Sequence, residues 1–139
     1  MPSASDATTD PPLRPAIGGV RAVLRLEALA LLLAALALYA RIDGDWLLFL
    51  ELFLLPDLSI AAYAFGPRPG AAAYNAAHST LGPVALAAYA LASGTPVALA
   101  VALIWLAHVG FDRALGYGLK YAGAFRDTHL GRIGRIARS

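Results

Sequence analysis

Apolar residues along the chain fall into four long runs that are separated by short polar breaks. The runs cover residues 22–40, 46–65, 70–92 and 96–118. Each is close to the ~20 residues that a helix needs to cross ~30 Å of hydrocarbon. Because backbone polar groups in lipid need partners within their own segment, runs of this length predict helices. The pattern therefore predicts an all-α membrane protein, an antiparallel bundle of four transmembrane helices.

The segments outside the runs divide the chain further. Residues 1–20 are rich in Pro, Ser, Thr and Asp, which predicts a disordered N-terminal tail before a four-helix domain at 21–120. Residues 121–139 form a basic cytoplasmic tail, in which Leu130, Ile133 and Ile136 stand three apart. That tail either lies on an anionic inner leaflet or frays. Asp127 or Thr128 is expected to cap a short terminal helix, with coverage of the cytoplasmic mouth as the alternative.

Composition and charge agree with a membrane setting. Hydrophobic residues make up 59% of the chain and charged residues 14%, compared with about 25% in soluble domains. In a four-span arrangement, every Lys and Arg except Arg41 lies on one side, which the positive-inside rule makes cytoplasmic. We therefore expect a bacterial inner-membrane protein with both termini in the cytoplasm. Its partners are membrane lipids and possible further copies of itself. Nucleic-acid binding is not expected, because the basic residues fit the topology and no aromatic platform lies among them.

Ionisable side chains within the spans point to chemistry, because a central Asp costs roughly 2.5–3.5 kcal/mol in insertion scales. Such residues are Glu27, Glu51, Asp57, His78, His108 and Asp112. At ~1.5 Å per residue from the cytoplasmic helix ends, Asp57, His78 and His108 lie at a common depth of ~12–14 Å. Glu27 and Asp112 lie at a second shared depth of ~7–8 Å. The matched depths predict that polar groups from different helices meet.

The most specific spacing is His108-x-x-x-Asp112, which puts an imidazole and a carboxylate on one helix face. Asp57 and His78 would complete a two-His, two-Asp set for a divalent metal such as zinc, manganese or iron. With no cysteine in the chain, thiolate ligands are excluded. Glu27 is the candidate fifth ligand or catalytic general base. Arg113 and Lys120, at the cytoplasmic mouth, are candidates for binding an anionic head group.

Other interpretations of the same residues stay open. His78 could hydrogen-bond across helices, and Asp112 could pair with Arg113 or reach the interface. His78 and His108 could be the axial ligands of a non-covalent haem. The whole cluster could form a proton or ion relay in a transport or scaffold protein, where four helices would require an oligomer.

The strings PDLS, YNAAHS and HVGFDRALGYGLKY resemble a bacterial membrane family described as domain of unknown function 4260. The likeness extends from Arg25 to Gly134 and implies no activity. The order P-D, H-S and H-x-x-x-D is also similar to bacterial inner-membrane metal-dependent hydrolases. That resemblance implies Asp57, His78, His108 and Asp112 as counterparts of that family's motif residues. The chain departs from it at Ser59, where the family has a second Asp, and near Tyr74 and Asn75, where it has a second His. The leading hypothesis is an intramembrane metal site with hydrolase-like chemistry on a lipid or amphiphile.

Overall fold

The computed structural model describes residues 16–123 and 125–133, most of which are helical. Residues 1–15, most of the predicted N-terminal tail, and Ile136 lie outside the described residues. The elements in chain order are α1 (Gly18–Arg41), α2 (Trp46–Phe53), a 3₁₀ helix (Leu55–Phe65), α3 (Pro67–His78), α4 (Leu81–Ser93), α5 (Pro96–Leu115), β1 (Asp127–Thr128) and β2 (Gly131–Arg132).

The predicted all-α membrane bundle of four helical segments is confirmed. Within the described residues, three segments are long and apolar enough to cross a membrane: Gly18–Arg41, Trp46–Phe65 and Pro96–Leu115. Large apolar side chains on these helices, such as Leu50 and Leu33, face outward and are exposed. Exposed apolar surface costs about 25 cal/mol per Å² in water but nothing comparable in lipid. The outer surface therefore suits a bilayer.

The segment 70–92, predicted as one continuous helix, consists of two helices that meet at Ser79 and Thr80. Ser79 has an extended conformation with ψ of 152°, and α4 begins two residues later at Leu81. Pro83 explains the break, because it has no N–H to donate to the carbonyl of Ser79 and its ring would clash with that carbonyl. The first backbone bond after the break runs from Val84 N–H to Thr80. As a result His78 is the last residue of α3.

Pro56 alters the second segment in a similar way. The α-helix ends at Phe53 and continues as a 3₁₀ helix, with Asp57 N–H bonded to the Leu54 carbonyl at 3.1 Å. At ~1.5 Å per α-helical and ~2.0 Å per 3₁₀ residue, the two pieces together measure ~34 Å, still enough to cross a bilayer of ~30 Å. The change of helix type sets the position of Asp57 just after the proline.

Helix α5 is at the centre of the bundle, packed against α1, α2 and α4, while α3 packs against the 3₁₀ helix. The apolar core around the middle of α5 is built by Ala35, Tyr39, Phe49, Leu103, Ile104 and Ala107. Nearer the other end of α5, Gly110 meets the backbone of α1. A Cβ atom on Gly110 would lie 2.9 Å from Leu32 N and 3.0 Å from the Ala28 carbonyl oxygen.

The segment after α5 folds back as a small hairpin. Strands β1 and β2 pair antiparallel, and Thr128 also forms a bridge with Lys120. The expected terminal helix capped by Asp127 or Thr128 is wrong, because both residues belong to β1. The side chain of Asn75 explains how this segment is held. Its Oδ1 accepts from Lys120 N–H at 2.6 Å and its Nδ2 donates to the Lys120 carbonyl at 2.8 Å, as a neighbouring strand would.

We predict that Gly110→Ala destabilises the bundle by about 1–3 kcal/mol, because the new methyl group has to push the α1 backbone away. Thermal unfolding in detergent should show a lower melting temperature. Gly19→Ala is the matched control, because Gly19 is a helical residue with no atom within 4 Å of the added Cβ. Equal melting temperatures for the two variants would contradict the proposed close contact between α1 and α5.

Candidate metal centre

Four ionisable side chains from three elements meet inside the bundle. Asp57 comes from the 3₁₀ helix, His78 from the end of α3, and His108 and Asp112 from successive turns of α5. One potential ligand atom from each lies within 4.8 Å of all the others. These are the four residues that the sequence patterns selected as candidate metal ligands.

The distances between the ligand atoms have the size expected around a single ion. His78 Nε2 lies 3.1 Å from His108 Nε2, 3.3 Å from Asp57 Oδ1 and 3.5 Å from Asp112 Oδ2. His108 Nε2 lies 3.5 Å from Asp57 Oδ1 and 3.8 Å from Asp112 Oδ2. A tetrahedral site with metal–ligand bonds of about 2.0–2.1 Å has ligand–ligand edges of about 3.3–3.4 Å. The five distances average close to that value, and all four ligand atoms lie within 4.8 Å of one another.

A backbone contact fixes which nitrogen of His78 faces the cluster. His78 Nδ1 lies 2.9 Å from the carbonyl oxygen of Tyr74. A carbonyl can only accept, so Nδ1 carries the hydrogen and Nε2 presents a lone pair to the other three residues. Metal-bound histidines commonly hold their second nitrogen in this way.

The surroundings of His108 are apolar. Its side chain is 1% exposed, and the ring of Phe53 packs edge-on against it with centroids 5.3 Å apart. Its Nδ1 has no hydrogen-bond partner among the described residues. His108 is therefore held by packing, and its interactions with polar groups all pass through Nε2.

Tyr74 is a component of the site that the sequence patterns did not identify. Its ring stacks on His78 with centroids 3.7 Å apart and 8° between the planes, and its hydroxyl donates to Asp112 Oδ2 at 3.3 Å. It thereby orients two of the four candidate ligands. Two signals in the sequence were its position four residues before His78, on the same face of α3, and its place near the second His of the similar hydrolases.

The cluster is open on one side. The side chains of His78 and His108 are 4% and 1% exposed and that of Asp112 is 16%, but that of Asp57 is 38% exposed. Asp57 is therefore the candidate ligand through which the cluster reaches the outer surface of the bundle.

Comparison with protein families gives a single assignment. Residues 21–133 match the family model described as Domain of unknown function (DUF4260). The chain belongs to the DUF4260 family. No curated protein and no solved structure matches it. The family description carries no activity, so the function of this DUF4260 protein has to be argued from its own side chains.

Glu27 lies elsewhere in the DUF4260 protein. It is exposed on α1 and lines a cavity of about 140 Å³, whose wall also includes Arg113 and His129. Its carboxylate is not one of the four ligand atoms that lie together, and its role as a fifth ligand stays a prediction. Its role as catalytic general base stays a prediction.

The two basic residues predicted to bind a head group both lie beside the cluster. Arg113 Nη2 donates to the His78 carbonyl at 3.3 Å, rather than pairing with Asp112. Lys120 is only 4% exposed, and its Nζ lies 4.0 Å and 4.7 Å from the ring centroids of Phe125 and Tyr74. Burial lowers the pKa of Lys120, while the Asp112 carboxylate opposes that shift. Binding of an anionic head group by these two residues stays a prediction.

The alternative of a bis-histidine haem does not fit this DUF4260 site. Axial ligands on opposite faces of a porphyrin lie about 4 Å apart, twice a metal–nitrogen bond of about 2 Å. The two Nε2 atoms are 3.1 Å apart, with carboxylate oxygens within 3.3–3.8 Å of them. No space for a macrocycle remains between the imidazoles, so the haem interpretation is wrong for this arrangement.

His129 in the hairpin gives a pH prediction. Burial, reinforced by Arg113, lowers the pKa of His129, whose Nδ1 accepts from Leu119 N–H at 2.9 Å. Its folded pKa is therefore below the unfolded value of about 6.5, and the unfolded segment binds more protons between the two. Hairpin stability should be complete above pH ~6.5 and fall as the pH decreases.

Hydrogen exchange of residues 117–133, corrected for the intrinsic pH dependence of exchange, measures this effect. The variant His129→Gln keeps an acceptor but does not titrate, so its protection should change less with pH. The same pH dependence in both proteins would contradict the role given to His129.

Proposed function

We propose that the DUF4260 chain holds one divalent transition metal with Asp57, His78, His108 and Asp112 and uses it in hydrolysis. The observation that carries this proposal is the set of five distances of 3.1–3.8 Å between the four ligand atoms. Mutual hydrogen bonding would not require all four atoms to face one point, whereas a central ion does.

The donor set narrows the choice of metal. Two imidazole nitrogens and two carboxylate oxygens suit zinc, manganese or iron, and the chain has no cysteine to favour softer metals. Two further contacts support binding. The Tyr74 carbonyl holds His78 in the tautomer that a metal needs, and the Tyr74 hydroxyl orients Asp112.

Hydrolysis is the chemistry that such a centre supplies most directly. The metal would lower the pKa of a bound water and polarise an acyl or phosphoryl oxygen. In the reaction the water oxygen bonds to the acyl carbon or phosphorus, the ester C–O or P–O bond breaks, and the proton passes to the departing alcohol oxygen. Water would approach from the side of Asp57, the most exposed of the four side chains. It would add to the four protein ligands, as in zinc sites that become five-coordinate during reaction.

One observation favours a second candidate, a metal-free proton relay through the same residues. His108 Nδ1 is buried without a partner among the described residues. In the relay, His108 Nε2–H would donate to His78 Nε2, and His108 Nδ1 would then carry only a lone pair. A buried acceptor without a partner is better tolerated than a buried N–H group without one. Metal content decides between the two candidates.

We also propose that the end of the bundle carrying the hairpin faces the cytoplasm of a bacterial inner membrane. The support is the distribution of basic residues. Arg21, Arg25, Arg113 and Lys120 lie towards this end, whereas Arg41 ends α1 at the other. The metal centre would then be reached from the cytoplasmic leaflet.

We predict about one zinc, manganese or iron per chain in protein purified without chelators, and its loss in His108→Ala and Asp112→Asn. Tyr74→Phe keeps the ring on His78 but removes the hydroxyl from Asp112, so it should weaken metal affinity about 10–100-fold. Elemental analysis and chelator competition measure these effects.

Asp43→Asn is the matched control for this series. Asp43 is exposed between α1 and α2 with a φ of 51°, which Asn tolerates. It should retain full metal content. Metal-free wild-type protein, or the same metal content in His108→Ala, would contradict the metal centre and favour the relay.

The absence of cysteine makes the topology directly testable. We predict that Ser93→Cys, at the end of α4, reacts with a membrane-impermeant maleimide applied to intact spheroplasts. Ala122→Cys, near the hairpin, should react only after the membrane is opened. The reverse pattern would invert the proposed orientation without affecting the metal centre.

A further inference from the structure

An apolar cavity of about 230 Å³ is lined by residues that are neighbours of the four-residue cluster in the chain. Its wall takes side chains from the second segment, α3, α4 and α5. Pro56 and Ala77 line it and immediately precede Asp57 and His78 in the chain, and Ile104 lies one turn before His108. The cavity and the cluster therefore share the same three elements.

The cavity extends from the cluster in one direction. Along the second segment Leu52 and Leu55 precede Asp57, and along α5 Val101 and Trp105 precede His108. On both segments the cavity-lining residues are therefore further from the hairpin end of the bundle than the candidate ligands are. The cavity thus lies on the side of the bilayer interior, while Lys120 and Arg113 lie on the opposite side of the cluster.

The lining offers almost nothing to a polar occupant. Every lining side chain is apolar except for the indole of Trp105, whose Nε1 already donates to the Ala77 carbonyl at 2.6 Å. Ordered water needs two to four polar partners, so this space does not suit water. Leu55 lines the cavity and is also exposed on the outer surface of the bundle. The cavity consequently connects with the lipid-facing surface.

We propose that this cavity binds the hydrocarbon chain of an amphiphilic substrate whose ester group lies at the Asp57–His78–His108–Asp112 centre. The inference rests on the proposed function for its reaction, but chain binding can be measured separately. An amphiphile in a bilayer has its polar group towards the surface and its chain towards the interior. The polar cluster and the apolar cavity follow each other in that order. A small water-soluble ester would leave the cavity without a role.

The test uses palmitic acid carrying a photoactivatable diazirine near the end of its chain. The probe is mixed with detergent-purified protein, irradiated, and its adducts are mapped by mass spectrometry. We expect labelling of the peptide around Val101 and Trp105 that saturates with probe and is displaced by unlabelled palmitate. Labelling of outward-facing residues such as Leu91 should rise without saturation.

Cavity-filling variants make the test specific. Val101→Phe and Leu86→Phe should each weaken saturable labelling about tenfold, the effect of excluding roughly two methylene groups. Leu91→Phe makes the same change as Leu86→Phe, but on the exposed face of α4, and should have no effect. An unchanged melting temperature and an unchanged metal content in a cavity variant show that its bundle is intact. Two cavity variants are used so that the test still works if one of them misfolds.

The outcomes separate the chain site from the metal centre. Saturable labelling that persists in metal-free His108→Ala protein supports the chain site even if the metal proposal fails. Labelling that never saturates overturns the inference, as does an equal loss in Leu91→Phe and the two cavity variants. For an active protein, Val101→Phe should lose its preference for long-chain over short-chain esters while keeping its metal.

Discussion

Four titratable side chains share one small volume inside a bundle whose outer surface is apolar, and most of the structure follows from how they satisfy each other. An isolated carboxylate or imidazolium in that position would be costly. Here each of the four lies within 3.1–3.8 Å of at least two others. The Tyr74 carbonyl holds the second ring nitrogen of His78, and the Tyr74 hydroxyl donates to the same Asp112 Oδ2 that faces the histidines. Arg113 donates to the carbonyl of His78. The 3₁₀ helix, α3 and α5 have to approach each other closely for these contacts to form. On another side of α5, Gly110 permits a close contact with the backbone of α1.

Two prolines set the geometry of this cluster. Pro56 converts the second segment to a 3₁₀ helix just before Asp57, and Pro83 ends α3 so that His78 is its last residue. The directions of the Asp57 and His78 side chains are therefore not fixed by the regular repeat of an α-helix. By contrast, His108 and Asp112 stand on uninterrupted α5 and have the fixed spacing of one turn. The cluster therefore combines one rigid pair with two ligands that helix interruptions orient.

The sequence predicted the helical segments and the four clustered residues because both depend on local pattern. The length of each apolar run predicts a span, and the number of residues from the cytoplasmic end of a helix predicts how deep a side chain lies in the membrane. It did not predict the break at Ser79, although Pro83 is visible in the sequence, because the hydropathy of the run hides it. Tyr74 and Asn75 were missed as partners because their contacts with Asp112 and Lys120 join residues far apart in the chain. Glu27 shares a depth with Asp112 but faces another cavity, since depth along a helix does not determine which way a side chain points.

The pair of hydrogen bonds between the Asn75 side chain and the Lys120 backbone has a consequence for how the protein is made. The candidate ligands are synthesised in the order 57, 78, 108 and 112, and these hydrogen bonds need residue 120 as well. While only the first spans have left the ribosome, Asp57 and His78 have neither α5 nor the C-terminal segment to pair with. The contact between Asn75 and Lys120 can form only after α5 has been inserted and the segment behind α5 has folded back onto α3. The polar interior is therefore completed after insertion of α5 and not span by span.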